Sequence, residues 1–224
     1  MGGGMLASLA ELVWGASCPG CGRTATGLCV DCRAALAAAP RVWVEAGMVC
    51  ARAGEYAGVL REVVLAAKER RALHLAATLG RMLGRAVAAL VVRADAGGRV
   101  VLAPVPTVRA HVIERGVDLP HLLAATAARE LRATGLDVRV GAGLRLARVP
   151  ADQLGLDAAA RRRNLAGAFA WDGRPAAGRV VVVDDIWTTG ATMTQAAAAC
   201  RQAGADVLGG AVVARTPRRR GGAG

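Results

Sequence analysis

The sequence predicts an α/β fold, an open and mostly parallel sheet with helices on both faces, preceded by a small cysteine module. Three observations carry that expectation. Val180 to Val183 are four β-branched residues in a row without polar alternation, the pattern of a strand buried on both faces inside a parallel sheet. Apolar segments of helical period alternate along the chain with short apolar runs of strand type, an order that forces crossover connections. Two carboxylates, Asp184 and Asp185, follow the valine run and lead through a Thr/Gly turn into an Ala-rich helix, which is where open α/β sheets bind ligands.

Composition sets the scale. With 224 residues, the chain holds one α/β domain plus a small accessory module, and 54% hydrophobic against 3% aromatic content makes the core aliphatic. A formal net charge of +12, nearly all from Arg, favours anionic ligands and polyanionic partners. No apolar run approaches the ~18 residues of a membrane helix, so no membrane insertion is expected.

Met1 to Ser17 reads as a short amphipathic helix with Leu6, Leu9 and Val13 on one side. Glu11 inside its apolar part and the lack of a basic start argue against a secretion leader, and the protein is expected in the cytoplasm. Cys18-Pro-Gly-Cys21 and Cys29-Val-Asp-Cys32 are two knuckles separated by seven residues, able to aim four thiolates at one tetrahedral ion. Four soft ligands with no position left open suit structural Zn²⁺, whereas disulfides are disfavoured in a reducing compartment and a redox Cys-x-x-Cys is expected singly. Cys50 and Cys200 read as small buried residues.

Val42 to Cys50 reads as one strand, broken by Gly54. From Tyr56, Val59, Leu60, Val63, Val64 and Ala67 follow helical spacing, ending at Lys68, and a second helix runs from about Leu73 to Val92 before Asp95, Gly97 and Gly98. Arg99 to Val105 is the next strand, and the basic stretch from Thr107 to Gly116, with Arg109, His111 and Arg115, reads as a loop before a helix over Leu119 to Ala133. Val138 to Arg148 and Leu165 to Trp171 read as two strands joined by a polar link that contains Arg161 and Asn164. A helix from about Thr192 to Ala203 and a last strand from Asp206 to Ala214 precede a basic tail. His74, His111 and His121 have no partners at ligand spacing and read as packed or surface residues.

Thr188, Thr189, Gly190, Ala191 and Thr192 are small or hydroxyl-bearing. Gly190 permits a tight turn, and the first free N–H groups of the next helix favour an anion, so the stretch reads as a monophosphate cradle. A Walker-type loop is excluded, because no Lys-Ser/Thr pair follows the turn. The stretch VVVVDDIWTTGAT resembles the phosphoribosyl pyrophosphate (PRPP) motif of type I phosphoribosyltransferases. That resemblance implies that Asp184 and Asp185, the candidate catalytic pair, hold the ribose hydroxyls with Mg²⁺ nearby, and that Thr188 to Thr192 bind the 5′-phosphate. The basic loop with Arg109 and Arg115, at the carboxyl end of a strand beside this one, and Lys68 are candidates to face pyrophosphate, the loop's other reading being a solvated one. The resemblance implies that the link bearing Arg161 and Asn164 closes over PRPP, its other reading being a solvated helix. Lys68 keeps an equal second reading as a cation satisfying its helix C-terminus.

The knuckles, the Lys ending the middle helix, and the segments APVPTVRAHVIERG and DQLGLDAAARRRNLAGAF occur in the order found in ComF-like proteins, which the chain resembles from Cys18 to about Thr216. One departure is Val117-Asp118-Leu119, where that family usually has Phe-Asn-Gln. The resemblance implies residues 1–40 as helix and zinc module, 41–216 as a phosphoribosyltransferase-like domain and 217–224 as a basic disordered tail. The expected activity is phosphoribosyl transfer to a nitrogenous acceptor, linked to competence, the uptake of DNA. The alternative is a non-catalytic accessory protein that binds single-stranded DNA weakly, or a competence-machinery partner such as an ATPase, with the PRPP pocket as sensor or relic.

Overall fold

A computed structural model describes residues 17–69, 74–149, 163–172 and 177–217, with backbone alone for His111, Glu114 and Arg115. The expected N-terminal helix, Arg161 and the tail beyond Pro217 lie outside the described residues.

In chain order the elements are helix α1 (Val30–Ala35), strands β1 (Arg41–Glu45) and β2 (Met48–Glu55), helices α2 (Gly58–Glu69) and α3 (His74–Arg93), strand β3 (Val100–Pro104), and helices α4 (Arg109–Arg115) and α5 (Leu119–Ala133). They continue with β4 (Val138–Val140), β5 (Leu144–Leu146), β6 (Phe169–Trp171), β7 (Arg179–Trp187), α6 (Ala191–Gln202) and β8 (Val207–Arg215). Six strands make one sheet in the order β1-β2-β8-β7-β3-β4, parallel throughout except for the β1–β2 pair, and β5 and β6 form a separate antiparallel pair.

Alternation along β7 divides the core. Val181 and Val183 face a layer with Val63 of α2, Leu79 and Leu83 of α3, and Leu123 and Ala127 of α5. Val180 and Val182 face Met193, Ala196 and Cys200 of α6, so helices do cover both faces. Helix α3 is 20 residues long with a mean hydropathy of 1.6, enough by length and composition to cross a membrane, but most of it is buried in this core, where Leu79, Leu83 and Leu90 are fully buried. The cysteine module joins the same layer through Cys18, Leu28, Cys32 and Leu36.

Four expectations are corrected. The single strand over Val42 to Cys50 is a hairpin, with Ala46 and Gly47 as its two-residue turn at φ 51° and 71°, the left-handed pair that joins twisted antiparallel strands. Gly54 lies inside β2 rather than ending a strand. The basic loop contains α4, closed by Gly116 in the left-handed conformation, whose N–H donates to the Val112 carbonyl. The strands expected over Val138 to Arg148 and Leu165 to Trp171 are shorter: the first is split into β4 and β5 around Gly141 and Gly143, and the second begins only at Phe169, after a turn at Gly167. At the departure from the ComF-like pattern, Asp118 is the N-cap of α5, accepting from the His121 N–H at 3.4 Å and the Thr107 hydroxyl at 3.2 Å.

Strand order places the crevice. From β3 the chain crosses through α5 to β4 on one side, and from β7 through α6 to β8 on the other, so neighbouring β3 and β7 are the point where the winding reverses. Ligands of open α/β sheets bind outside the carboxyl ends of such a pair.

Candidate functional site at the carboxyl end of β7

β7 runs four residues further than its valines. Pairing with β3 ends at Pro104 and Val183, while pairing with β8 continues through Asp184 and Ile186 to Trp187 and Arg215. Asp184 and Asp185 thus sit on a rigid strand that is open on its β3 side. The carboxylates were not expected in a core, yet Asp185 is buried, its side chain 8% exposed. The burial is tolerated because Lys68 Nζ lies 2.6 Å from Asp185 Oδ2. Lys68 lies in the last turn of α2, as one of its two readings expected, and pairs with Asp185, a contact that neither reading anticipated.

Asp184 accepts the Asp185 backbone N–H at 2.8 Å. Desolvation pushes its carboxyl well above the usual range and the Asp185 charge pushes it further, against the opposing pull of Lys68. The folded state holds this proton more tightly than the unfolded chain, so stability falls as pH rises from the usual carboxylate value of 3.8 through the raised one. Asp184→Asn keeps the oxygen acceptor and removes the charge. It should raise the unfolding temperature at pH 7 by about 2–4 °C per kcal/mol recovered, with the gain vanishing below about pH 4. Thermal scans of both proteins at pH 3.5, 5 and 7 check this; an equal gain at all three values would contradict it.

Beyond Trp187 the chain turns through exposed Thr188 and half-buried Thr189 to Gly190, the N-cap of α6, at φ 77°. Gly190 has no side chain with which to cap α6. Thr189 Oγ1 accepts the Ala191 N–H at a long 3.4 Å, and Thr194 Oγ1 donates back to the Gly190 carbonyl at 2.8 Å. Helix α6 therefore presents its first N–H groups, with the partial positive charge of its N-terminus, beside two carboxylates and small hydroxyl side chains, a set suited to a phosphate attached to a polyol. Arg109 is exposed at the start of α4, in the segment that follows β3, while the Arg115 side chain lies outside the described residues. Asn164 is half-buried before β6, and its carbonyl accepts from Arg148 Nη2 at 2.6 Å.

The four knuckle cysteines converge. Their Sγ atoms all lie within 4.8 Å of one another, and the group could hold a metal ion. Local donors fit thiolate ligands. Burial raises the Cys18 thiol, but N–H groups of Cys29, Gly20 and Cys21 outweigh it and hold the thiol at about 6. Cys32, buried among the other sulfurs, is pushed well up. Arg23 donates to Cys21 Sγ at 3.4 Å and Cys29 Sγ at 3.7 Å and pairs with Asp31. Arg85 Nη2 of α3 donates to the Leu36 carbonyl at 2.7 Å, tying the end of α1 to the main core. A cavity of about 490 Å³ beside that contact, walled by Met82, Arg85 and Leu131, is lined by none of the β7 site residues.

Sequence reasoning missed the residues beneath the turn, namely Trp187, Trp43, Arg215, Glu45 and Thr216. The one local signal was an indole inside the motif of a chain with four Trp in all. No protein-family model matches the chain, and no curated protein matches it in sequence.

Proposed function

We propose that the chain binds PRPP in the crevice at the carboxyl ends of β3 and β7 and transfers its phosphoribosyl group to a nitrogenous acceptor, releasing pyrophosphate. The observation that supports this most is the continuous run from paired carboxylates on β7 to a helix N-terminus through a Thr-Thr-Gly turn, at the reversal of the sheet. The order of strands suits a type I phosphoribosyltransferase fold.

In this reading, the turn from Thr188 to Thr192 takes the 5′-phosphate through hydroxyl and backbone N–H donors. Asp184 and Asp185 accept from the ribose hydroxyls and hold the sugar by its 2′ and 3′ positions. Lys68 offsets one of the two carboxylate charges and stands ready for the pyrophosphate oxygens, and Arg109 and Arg115, in the segment that follows β3, are the further candidates for that group. Mg²⁺, bound with PRPP, would supply charge that favours departure of pyrophosphate. Rate acceleration comes from placing positive groups where the leaving charge grows, and no residue acts as nucleophile. The Cys18, Cys21, Cys29 and Cys32 cluster takes Zn²⁺, fully ligated and structural.

The test is pyrophosphate release from PRPP and Mg²⁺ with nucleobases offered one at a time. Release with one acceptor, lost in Asp184→Asn, is the expected result. No release with any acceptor, although PRPP binds, would remove the transferase and leave the pocket as a sensor.

A further inference from the structure

The turn of Thr188, Thr189 and Gly190 rests on an indole. Trp187 is 1% exposed, and an ideal Cβ on Gly190 would stand 2.2 Å from its Cζ2, 2.7 Å from Cε2 and 3.0 Å from Cη2. The backbone of the turn therefore lies directly against the ring. At φ 77° a side chain at 190 is disfavoured by conformation, and the indole excludes it by volume as well.

The ring is itself held from behind. Trp43 of β1 meets it edge to face, with centroids 5.3 Å apart and planes at 85°. The Arg215 guanidinium lies 4.5 Å over the Trp43 ring and pairs with Glu45 at 2.5 Å, and Glu45 also accepts from Trp43 Nε1 at 3.0 Å. Thr216, next after Arg215, donates its N–H to the Trp187 carbonyl at 2.9 Å and its hydroxyl toward the Trp187 and Thr188 carbonyls at 3.3 and 3.4 Å. Trp187 Nε1 is buried with no hydrogen-bond partner among the described residues, a disfavoured state that a phenyl ring would avoid. What the indole adds is the half of the ring system bearing Cζ2 and Cη2, the part that touches Gly190.

Resting on the reading that this turn binds a phosphate, we propose that Trp187 is a positioning residue for it. Backed by Trp43, which Arg215 and Glu45 hold in turn, the indole sets the height of the turn so that its N–H groups and those of α6 converge on the phosphate oxygens. Residues on β1 and β8 that touch no ligand thereby govern phosphate affinity.

Ribose 5-phosphate is the probe, and calorimetry on the full chain is the measurement. Trp187→Leu should bind at least about tenfold more weakly, Trp187→Phe should fall between it and the wild type, and Arg215→Met should lose about threefold. Gly190→Ala should lose at least about tenfold, and the double variant Gly190→Ala with Trp187→Leu should bind better than Gly190→Ala alone, because the clashing ring is gone. A support with only a structural role would give no such recovery. If Trp187→Leu does not fold, Arg215→Met and the Trp187→Phe series decide the matter. Wild type that binds while Trp187→Phe and Arg215→Met bind equally well would overturn the inference alone, as would a double variant no better than Gly190→Ala. Wild type that does not bind at all would overturn the phosphate reading beneath it, a separate and recognisable result.

Discussion

Stripping the metal proposed for Cys18, Cys21, Cys29 and Cys32 should lower the unfolding temperature by at least about 10 °C, because binding energy at such a site is folding energy. The effect is large here since the module is not an appendage. Cys18, Leu28, Cys32 and Leu36 are buried in the same layer as α2, α3 and α5, and Arg85 of α3 bonds the carbonyls of Leu36 and Ala37. Four sulfurs within 4.8 Å repel one another as thiolates unless a cation lies among them. Cys32→Ser is the genetic counterpart, removing a ligand buried beside the backbone of Gly20. Elemental analysis should find one metal ion per wild-type chain and a reduced content in the variant. A metal-free wild type whose unfolding ignores chelators would reduce the cluster to packed thiols.

Lys68→Met should act on stability and on binding together. The side chains of the pair are 25% and 8% exposed, so its loss leaves Asp185 buried without its cation. That should destabilise the fold by about 2–3 kcal/mol, less than for a fully buried pair because water still reaches Lys68. Without Lys68, the Asp185 N–H is left to oppose the upward pressure on the Asp184 carboxyl, which will stay protonated over a wider pH range. PRPP affinity should therefore fall by about tenfold or more at pH 6.5 and recover part of that loss at pH 8.5 as Asp184 ionises. Urea unfolding and binding isotherms at the two pH values test both halves. A pH-independent loss would mean that Lys68 acts on the ligand alone.

Much of this site was legible because its parts are adjacent in sequence. Val180 to Val183 announce a doubly covered strand, Asp184 and Asp185 its end, and Gly190 the start of a helix, and α6 begins within one residue of its expected place. The cysteine spacing likewise fixed its own reading, since two short knuckles bring four sulfurs together with little help from the rest of the chain. The misses are of another kind. Asp185 is buried because a lysine from another helix reaches it, and no local pattern encodes that pairing. Trp187 is held by Trp43 of β1, itself pinned by Arg215 of β8, residues that become neighbours only in the folded sheet. The β1–β2 hairpin was hidden by its Ala-Gly turn, a weaker signal than Asn-Gly, and α4 by a run of charge that reads as a loop. The reversal point between β3 and β7 exists only in the strand order.

One titration tests the phosphoribosyl assignment of the crevice most directly, PRPP with Mg²⁺ followed by calorimetry against wild type and the double variant Asp184→Asn with Asp185→Asn. Both substitutions keep the shape of the strand end and remove its charge, so folding should persist while the ribose hydroxyls and the cation lose their acceptors. Saturable one-to-one binding to wild type, weakened at least about 100-fold in the variant, is the predicted result. No heat of binding with wild type, or equal binding to both proteins, would contradict the assignment of this crevice to a phosphoribosyl ligand.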